Sequence, residues 1–254
     1  MKNKPWADMH RWPFAPSCLP EPAPGDIHIW QASLAQPISL IEALEQVLSP
    51  DERDRAFRFR RDIIRHRFIV ARGVLRHILG RYVSKPPQDI TFQYAEYGKP
   101  ELGSPVGSLQ FNVSHSHDMA LYAFTRHHPI GVDVEYLNRR SVMDRMKIAR
   151  RFFSVAEYKA LSALPESKQD SAFLTCWTRK EAFIKAIGQG LSCPLDQFDV
   201  AVDPDAPAAL LATRWDAADA GRWAMTALDP GENYIGALVV EGECTHMKNW
   251  TWWI

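Results

Sequence analysis

The 254-residue chain carries 30 basic and 30 acidic side chains, so its formal charge is zero and no whole-surface attraction to nucleic acid or acidic membrane is implied. Hydrophobic residues make up 46% and charged residues 24%, the balance of a globular chain long enough for one large core or two smaller ones. The cysteines Cys18, Cys176, Cys193 and Cys244 form no C-x-x-C pair, and no segment has the apolar length of a membrane span or the h-region of a secretory signal. Free thiols and a cytoplasmic location are therefore expected.

Residues Pro5 to Pro24, rich in Pro and Trp, read as an extended surface arm (1–25). Asp26 to Ala32 alternates polar and apolar residues, as a half-buried strand does. Ile38 to Leu48 follows as a short amphipathic helix. Ser49, Pro50 and Glu52 spell a capping box that opens a second helix. Its apolar stripe of Ile64, Phe68, Ala71, Leu75 and Ile78 continues to a stop before Pro86-Pro87. Strand-like runs come next, at Ile90 to Tyr94, Leu109 to Val113, Met119 to Phe124 and Ile130 to Glu135. Helices return at Asp144 to Phe152, at Ser154 to Leu164 with a second capping box, and at about Ser171 to Ile187. Strands close the chain at Phe198 to Val202, Arg222 to Leu228 and Tyr234 to Val240, and Asn249 to Ile254 could return to a sheet edge. Strand, helices, strands occurs twice. The expected architecture is α+β in two similar-sized halves, 26–128 and 129–254, meeting near His128-Pro129.

Several segments carry chemistry. In Ile130-Gly131-Val132-Asp133-Val134-Glu135, strand alternation sends the two valines into a core and sets Asp133 beside Glu135 on the other face. Neighbouring carboxylates repel unless a cation lies between them, and hard oxygen donors without thiols suit Mg²⁺. The commoner alternative is a strand with one wet face. Glu181 and Lys185 stand four apart on a helix among Trp177, Phe183 and Ile184. They read either as a surface ion pair or as a third metal ligand beside a phosphate-binding cation.

Phe111-Asn112-Val113-Ser114-His115-Ser116 ends a strand in hydroxyls and an imidazole, which suits a phosphate cradle or a polar hairpin end. His115 and His117 could also form a zinc pair, without a thiol to support it. Tyr97-Gly98-Lys99-Pro100 is a turn presenting one lysine. The arginines from Arg53 to Arg76 read as a solvated face, a polyanion cradle or a nucleic-acid patch, and no stacking aromatics spaced for bases accompany them.

Taken in order, SPDERDR, YGKP, FNVSHS, IGVDVE, RRFFSVAEY and WTRKEAFIKAIGQGL resemble the Sfp-type 4′-phosphopantetheinyl transferases over roughly Ser49 to Val200. The resemblance implies two α/β subdomains related by a pseudo-twofold axis, with the site between them. It implies transfer of phosphopantetheine from coenzyme A to a serine of an apo acyl or peptidyl carrier protein of fatty-acid, polyketide or nonribosomal-peptide type. Asp133, Glu135 and Glu181 would hold Mg²⁺, with Mn²⁺ as a substitute, and the ion would also bind the pyrophosphate. Glu181, directly or through a water, would take the serine proton, and Lys185 would assist departure of adenosine 3′,5′-bisphosphate. Ser114 and His115 would meet coenzyme A phosphates; Gly98, Lys99 and Pro100 would lie against the adenine; Arg55 and Arg67 would face the 3′-phosphate. Glu52 departs from members with a basic residue there. One continuous chain implies a monomer, with no nucleic-acid or membrane partner. A metal-dependent nucleotide phosphohydrolase and a nucleic-acid-binding module are the rival readings.

Overall fold

The computed structural model describes residues 12–14, 22–103, 108–138, 144–244 and 246–252, so Cys18 and most of the arm read at 1–25 lie outside the described residues. The first half opens with strand β1 (Asp26–Ser33), helices α1 (Ile38–Gln46), α2 (Pro50–Phe57) and α3 (Asp62–Val83), and the short hairpin β2 (Phe92–Tyr94) and β3 (Pro100–Leu102). It continues through β4 (Leu109–Ser116) and β5 (Met119–Arg126). The second half runs β6 (Ile130–Tyr136), α4 (Arg145–Phe152), α5 (Val155–Ala163), α6 (Glu166–Ala186), β7 (Phe198–Val200), β8 (Leu210–Thr213), β9 (Trp223–Leu228) and β10 (Tyr234–Glu241). A final strand, β11 (His246–Thr251), closes it.

The pattern from Ser49 to Pro86 reads as one helix, but the chain bends at Arg58–Arg61, where Arg61 is extended. The capping-box glutamate explains the fold-back. Glu52 accepts from Arg72 Nε and Arg76 Nε, each at 2.6 Å, and from the Ser49 amide at 3.0 Å. A continuous helix would hold residues 52 and 76 about 36 Å apart. Both Glu52 and Arg76 are buried, so the carboxylate locks α2 onto α3 and is not available to a ligand. Helix α6 begins five residues before its apolar periodicity, because its first turns (ESKQD) are polar and exposed or half-buried. Hairpin strands β3 and β8 escape the sequence pattern; both are short and flanked by turns.

Two larger sheets result, β11-β1-β5-β4 and β6-β10-β9, beside the two-stranded pairs β2-β3 and β7-β8. β11 pairs in parallel with β1, from Asp26↔His246 to Gln31↔Thr251, so the end of the chain does return to an edge of the first half's sheet. Residues 12–14 lie on its outer side, where the Thr251 amide donates to Pro13 O at 2.8 Å. This covers an edge that would otherwise offer unpaired backbone groups.

Alternation along the strands builds the layers. Trp30, Ala32, Tyr122 and Phe124 pack under α1 and α3. Ile27, Ile29, Leu121 and Ala123 face the other way and meet Ile130, Val132, Val134, Leu238 and Val240 of the second sheet, with Trp12 closing this inter-sheet core. Ala237 and Val239, on the far face, pack against Ala182, Phe183 and Ala186 of α6. The architecture is α+β, with each sheet backed by one long helix and the sheets facing one another. Among the described residues, no helix is long and apolar enough to cross a membrane.

Candidate active site

The site starts from a glycine. A Cβ on Gly131 would lie 2.0 Å from Ala182 O and 2.5 Å from Ala186 N, so only glycine lets β6 lie directly on the backbone of α6. Ala182 and Ala186, both buried, are the small partners. This contact sets the acidic face of β6 against the Glu181–Lys185 turn.

Val132 and Val134 enter the inter-sheet core, as alternation predicts, and Asp133 and Glu135 face away from it. The wet-face alternative fails for Asp133, which is only 4% exposed. Lys185 Nζ donates to Asp133 Oδ1 at 2.6 Å, to Ser114 Oγ at 3.1 Å and to Val132 O at 3.3 Å. Lys185 is therefore a link between α6, β6 and β4, and Asp133 is the carboxylate it pairs with. A surface pair with Glu181 does not describe it.

Glu181 stands in a field of like charge. Its carboxyl is pushed up to about 7, first by burial and then by Asp133 and Glu135, against the opposing pull of Lys185. Asp133 Oδ2 is buried and has no hydrogen-bond partner among the described residues. Such surplus negative charge and orphaned oxygen are what a hard divalent cation relieves, and the donor set is all oxygen, as Mg²⁺ or Mn²⁺ prefers. In this conformation no three His, Cys, Asp or Glu side chains among the described residues are gathered tightly enough to hold a metal. Lys185 stands at Asp133, and Glu135 Oε2 accepts from Ser116 Oγ at 2.7 Å.

β4 and β6 are joined by side chains. Asn112 Oδ1 accepts from the Val132 amide at 2.9 Å, Ser114 Oγ from the Val134 amide at 3.4 Å, and Ser116 Oγ from the Tyr136 amide at 3.1 Å. Ser114 also donates to Asp133 Oδ1 at 2.7 Å. The Ser114 hydroxyl is thus turned inward onto the acid. His115 points to the opposite side, open to solvent but crowded by protein, and that crowding lowers its pKa, helped by the positive charges of Lys185 and Arg55. A neutral imidazole beside two cations suits the rim of an anion site. His117 is committed elsewhere, 3.0 Å from Asp118 and stacked on Tyr136, so it does not complete a zinc pair with His115.

Arg55 lines a cleft of about 600 Å³ with Asp51, Asp54, Arg58, Phe59 and Tyr94. Arg67 instead pairs with Asp118 at 2.7 Å, at the turn between β4 and β5. Gly98 sits at φ +80° with open space around its Cα, in a turn closed by the Gly98 amide on Ala95 O at 2.8 Å. Pro100 begins β3. Lys99 reaches across: its Nζ donates to Ile130 O and to Lys185 O, both at 3.0 Å, and burial lowers its pKa to about 8.

Sequence reasoning placed Gly131, Asn112 and Ser116 within its motifs but did not assign them the packing and strand-joining roles seen here. The alternation of small polar residues in N-V-S-H-S was the available signal for the last two. Sequence reasoning missed the buried pair of Lys180 and Glu157 at 2.8 Å, in which Lys180 further donates to Leu195 O and Phe198 O. That network fixes the rotation of α6 one residue before Glu181.

Buried Asp133 with Glu135 and a Glu181 raised toward neutrality, a lysine against Asp133 and an arginine-lined cleft suit transfer chemistry on a phosphate ester. The chain belongs to the 4′-phosphopantetheinyl transferase superfamily, whose family description matches residues 129–239. The description of the 4′-phosphopantetheinyl transferase N-terminal region matches residues 29–127. The chain is 38% identical over 227 residues to the 4′-phosphopantetheinyl transferase HetI of Nostoc sp., covering 89% of this chain and 92% of that one. It is 36% identical over 164 residues to the 4′-phosphopantetheinyl transferase Sfp of Bacillus subtilis, covering 65% and 70%. A holo-(acyl-carrier-protein) synthase from Bacillus anthracis, solved in complex with CoA (3′,5′-ADP), is similar over 45% of this chain and 96% of its own, at 21% identity and a TM-score of 0.35.

Proposed function

We propose that this protein transfers the 4′-phosphopantetheine group of coenzyme A to a serine of an apo carrier protein, acyl or peptidyl, in a Mg²⁺-dependent reaction. The observation that carries the reading is the meeting of Lys185 with Asp133 at 2.6 Å beside Glu181, whose carboxyl is raised to about 7. The serine oxygen forms a new bond to the phosphorus next to pantetheine, the pyrophosphate P–O bond breaks, and adenosine 3′,5′-bisphosphate leaves with the bond electrons. Glu181 takes the serine proton, directly or through a water, which is general-base work that a positioned carboxylate can do. Lys185 turns toward the departing phosphate and offsets its growing charge. Asp133, Glu135 and Glu181 would hold Mg²⁺ or Mn²⁺, and the ion supplies charge neutralisation for the pyrophosphate. Arg55 and His115 would meet the anionic end of coenzyme A, with Gly98 and Pro100 against the base.

The division of labour follows the chain: a half at 26–128 and a half at 129–254. The two family matches, which part at residue 128, support that boundary, although β11 lends its strand to the first half. We propose that the protein works as a cytoplasmic monomer, with both halves in one chain.

The test is the intact mass of an apo carrier protein after incubation with this protein, coenzyme A and Mg²⁺. The expected result is a gain of one phosphopantetheine, abolished by chelation. Cleavage of coenzyme A without a gain on any of several carriers would overturn the transfer reading in favour of hydrolysis.

A further inference from the structure

Lys99 belongs to the first half, yet its ammonium lies inside the second. It donates to Ile130 O, the first residue of β6, and to Lys185 O, in the last turn of α6. Lys185 O also accepts from the Gly188 amide at 3.3 Å, and the helix end carries partial negative charge, so the Lys99 cation adds a charged hydrogen bond where the dipole favours it. β6 carries Asp133 and Glu135, and α6 carries Glu181 and Lys185. The Lys99 backbone closes the Gly98 turn, where Lys99 O accepts from the Ala95 amide at 2.9 Å. One residue thus spans the turn and the junction of both acidic elements. A side chain reserved for a ligand would project into the cleft, whereas this one is spent on two protein carbonyls.

We propose that Lys99 is a positioning residue for Lys185, tying the end of α6 to the start of β6 and linking the Gly98 turn to the catalytic end of that helix. The proposal rests on the reading of Lys185 given above. Without the ammonium, Gly131 still packs β6 on α6, but the Lys185 backbone is held less firmly and its side chain loses the fixed origin from which it reaches Asp133 and the departing phosphate. Coenzyme A affinity changes little, because the cleft and the turn remain.

The experiment uses the full chain with Lys99→Met and Lys99→Arg. In Lys99→Met, kcat for transfer is expected to fall about tenfold while the Kd for coenzyme A by calorimetry changes less than threefold, and Lys99→Arg, which can still donate to carbonyls, recovers most of the rate. Amide exchange at 185–188 is expected to rise in Lys99→Met with α3 still protected. A raised Kd with kcat intact would overturn the proposal and make the ammonium a ligand contact. So would equal loss in both variants with unchanged exchange at 185–188. Should Lys99→Met fold poorly, Lys99→Gln is measured in the same way, with the same results expected and the same results overturning. Absence of transfer by the unmodified protein defeats the functional reading itself, which separates that failure from this one.

Discussion

Replacing Gly131 by alanine tests whether the backbone contact between β6 and α6 builds the site. The new Cβ would lie 2.0 Å from Ala182 O and 2.5 Å from Ala186 N, both main-chain atoms that cannot rotate aside. Restoring an ordinary contact of 3.4 Å requires the strand and helix to part by about 1.4 Å, a relief of overpacking that costs about 3 kcal/mol. For a chain of this length that is a fall in Tm of about 6–12 °C. The same movement stretches the Lys185–Asp133 contact from 2.6 Å toward the limit of an ion pair, and a misplacement of about 1 Å can lower a rate by about a hundredfold. The assays are thermal melting and single-turnover transfer to an apo carrier, with Gly236→Ala as the comparison. That residue sits opposite Val134 on β10, and its added Cβ would meet the Leu228 side chain at a milder 3.1 Å. Gly131→Ala with a wild-type Tm and a rate within twofold would refute the reasoning.

Glu181 predicts a pH dependence. Its carboxyl is raised from 4.5 to about 7 on folding, so between those values the folded chain holds a proton that the unfolded chain has released. Its contribution is full below the unfolded value and is lost as pH rises through about 7. In divalent-free buffer the loss amounts to about 1–3 kcal/mol after allowance for partial exposure. Urea unfolding from pH 5 to 8 should show it, and a slope unchanged in Glu181→Gln would refute it. Glu52→Gln removes the charge between Arg72 and Arg76 and leaves a buried guanidinium uncompensated, an expected loss of about 3–5 kcal/mol. A loss below about 1 kcal/mol by chemical denaturation would show that the fold-back of α2 onto α3 does not depend on that carboxylate.

Elements with a strong period were legible. The stripe from Phe68 to Ile78 and the alternation in IGVDVE marked a core helix and a half-core strand, because burial on one face leaves a repeat in the residues. The bend at Arg58–Arg61 was not legible, since it depends on Glu52 meeting Arg72 and Arg76, residues that only tertiary folding brings together. The acidic trio was legible as residue types and invisible as geometry. Nothing local in W-T-R-K-E-A-F-I-K-A says that Lys185 pairs with Asp133 or that burial raises the Glu181 carboxyl. Lys99 was legible as part of a turn, but the direction of its ammonium depends on two carbonyls, 31 and 86 positions further along the chain.

The seam between the halves joins folding to chemistry. A backbone ladder between β4 and β6 would set the strands about 4.8 Å apart and spend the amides of both. Here the rungs are the side chains of Asn112, Ser114 and Ser116, each accepting one amide from β6. Two of those rungs also act on the acids. Ser114 takes the Val134 amide and gives its proton to Asp133; Ser116 takes the Tyr136 amide and gives its proton to Glu135. In both cases the hydroxyl bridges an amide and the carboxylate one residue before it, so the register that closes the seam also aims the carboxylates. A shift of one residue would reverse every rung and turn Val113 and His115 toward β6. The alternation N-V-S-H-S is therefore needed twice, once to hold the second sheet beside the first and once to orient Asp133 and Glu135. Changes at Ser114 or Ser116 must alter cohesion between the halves and the set of the acids together.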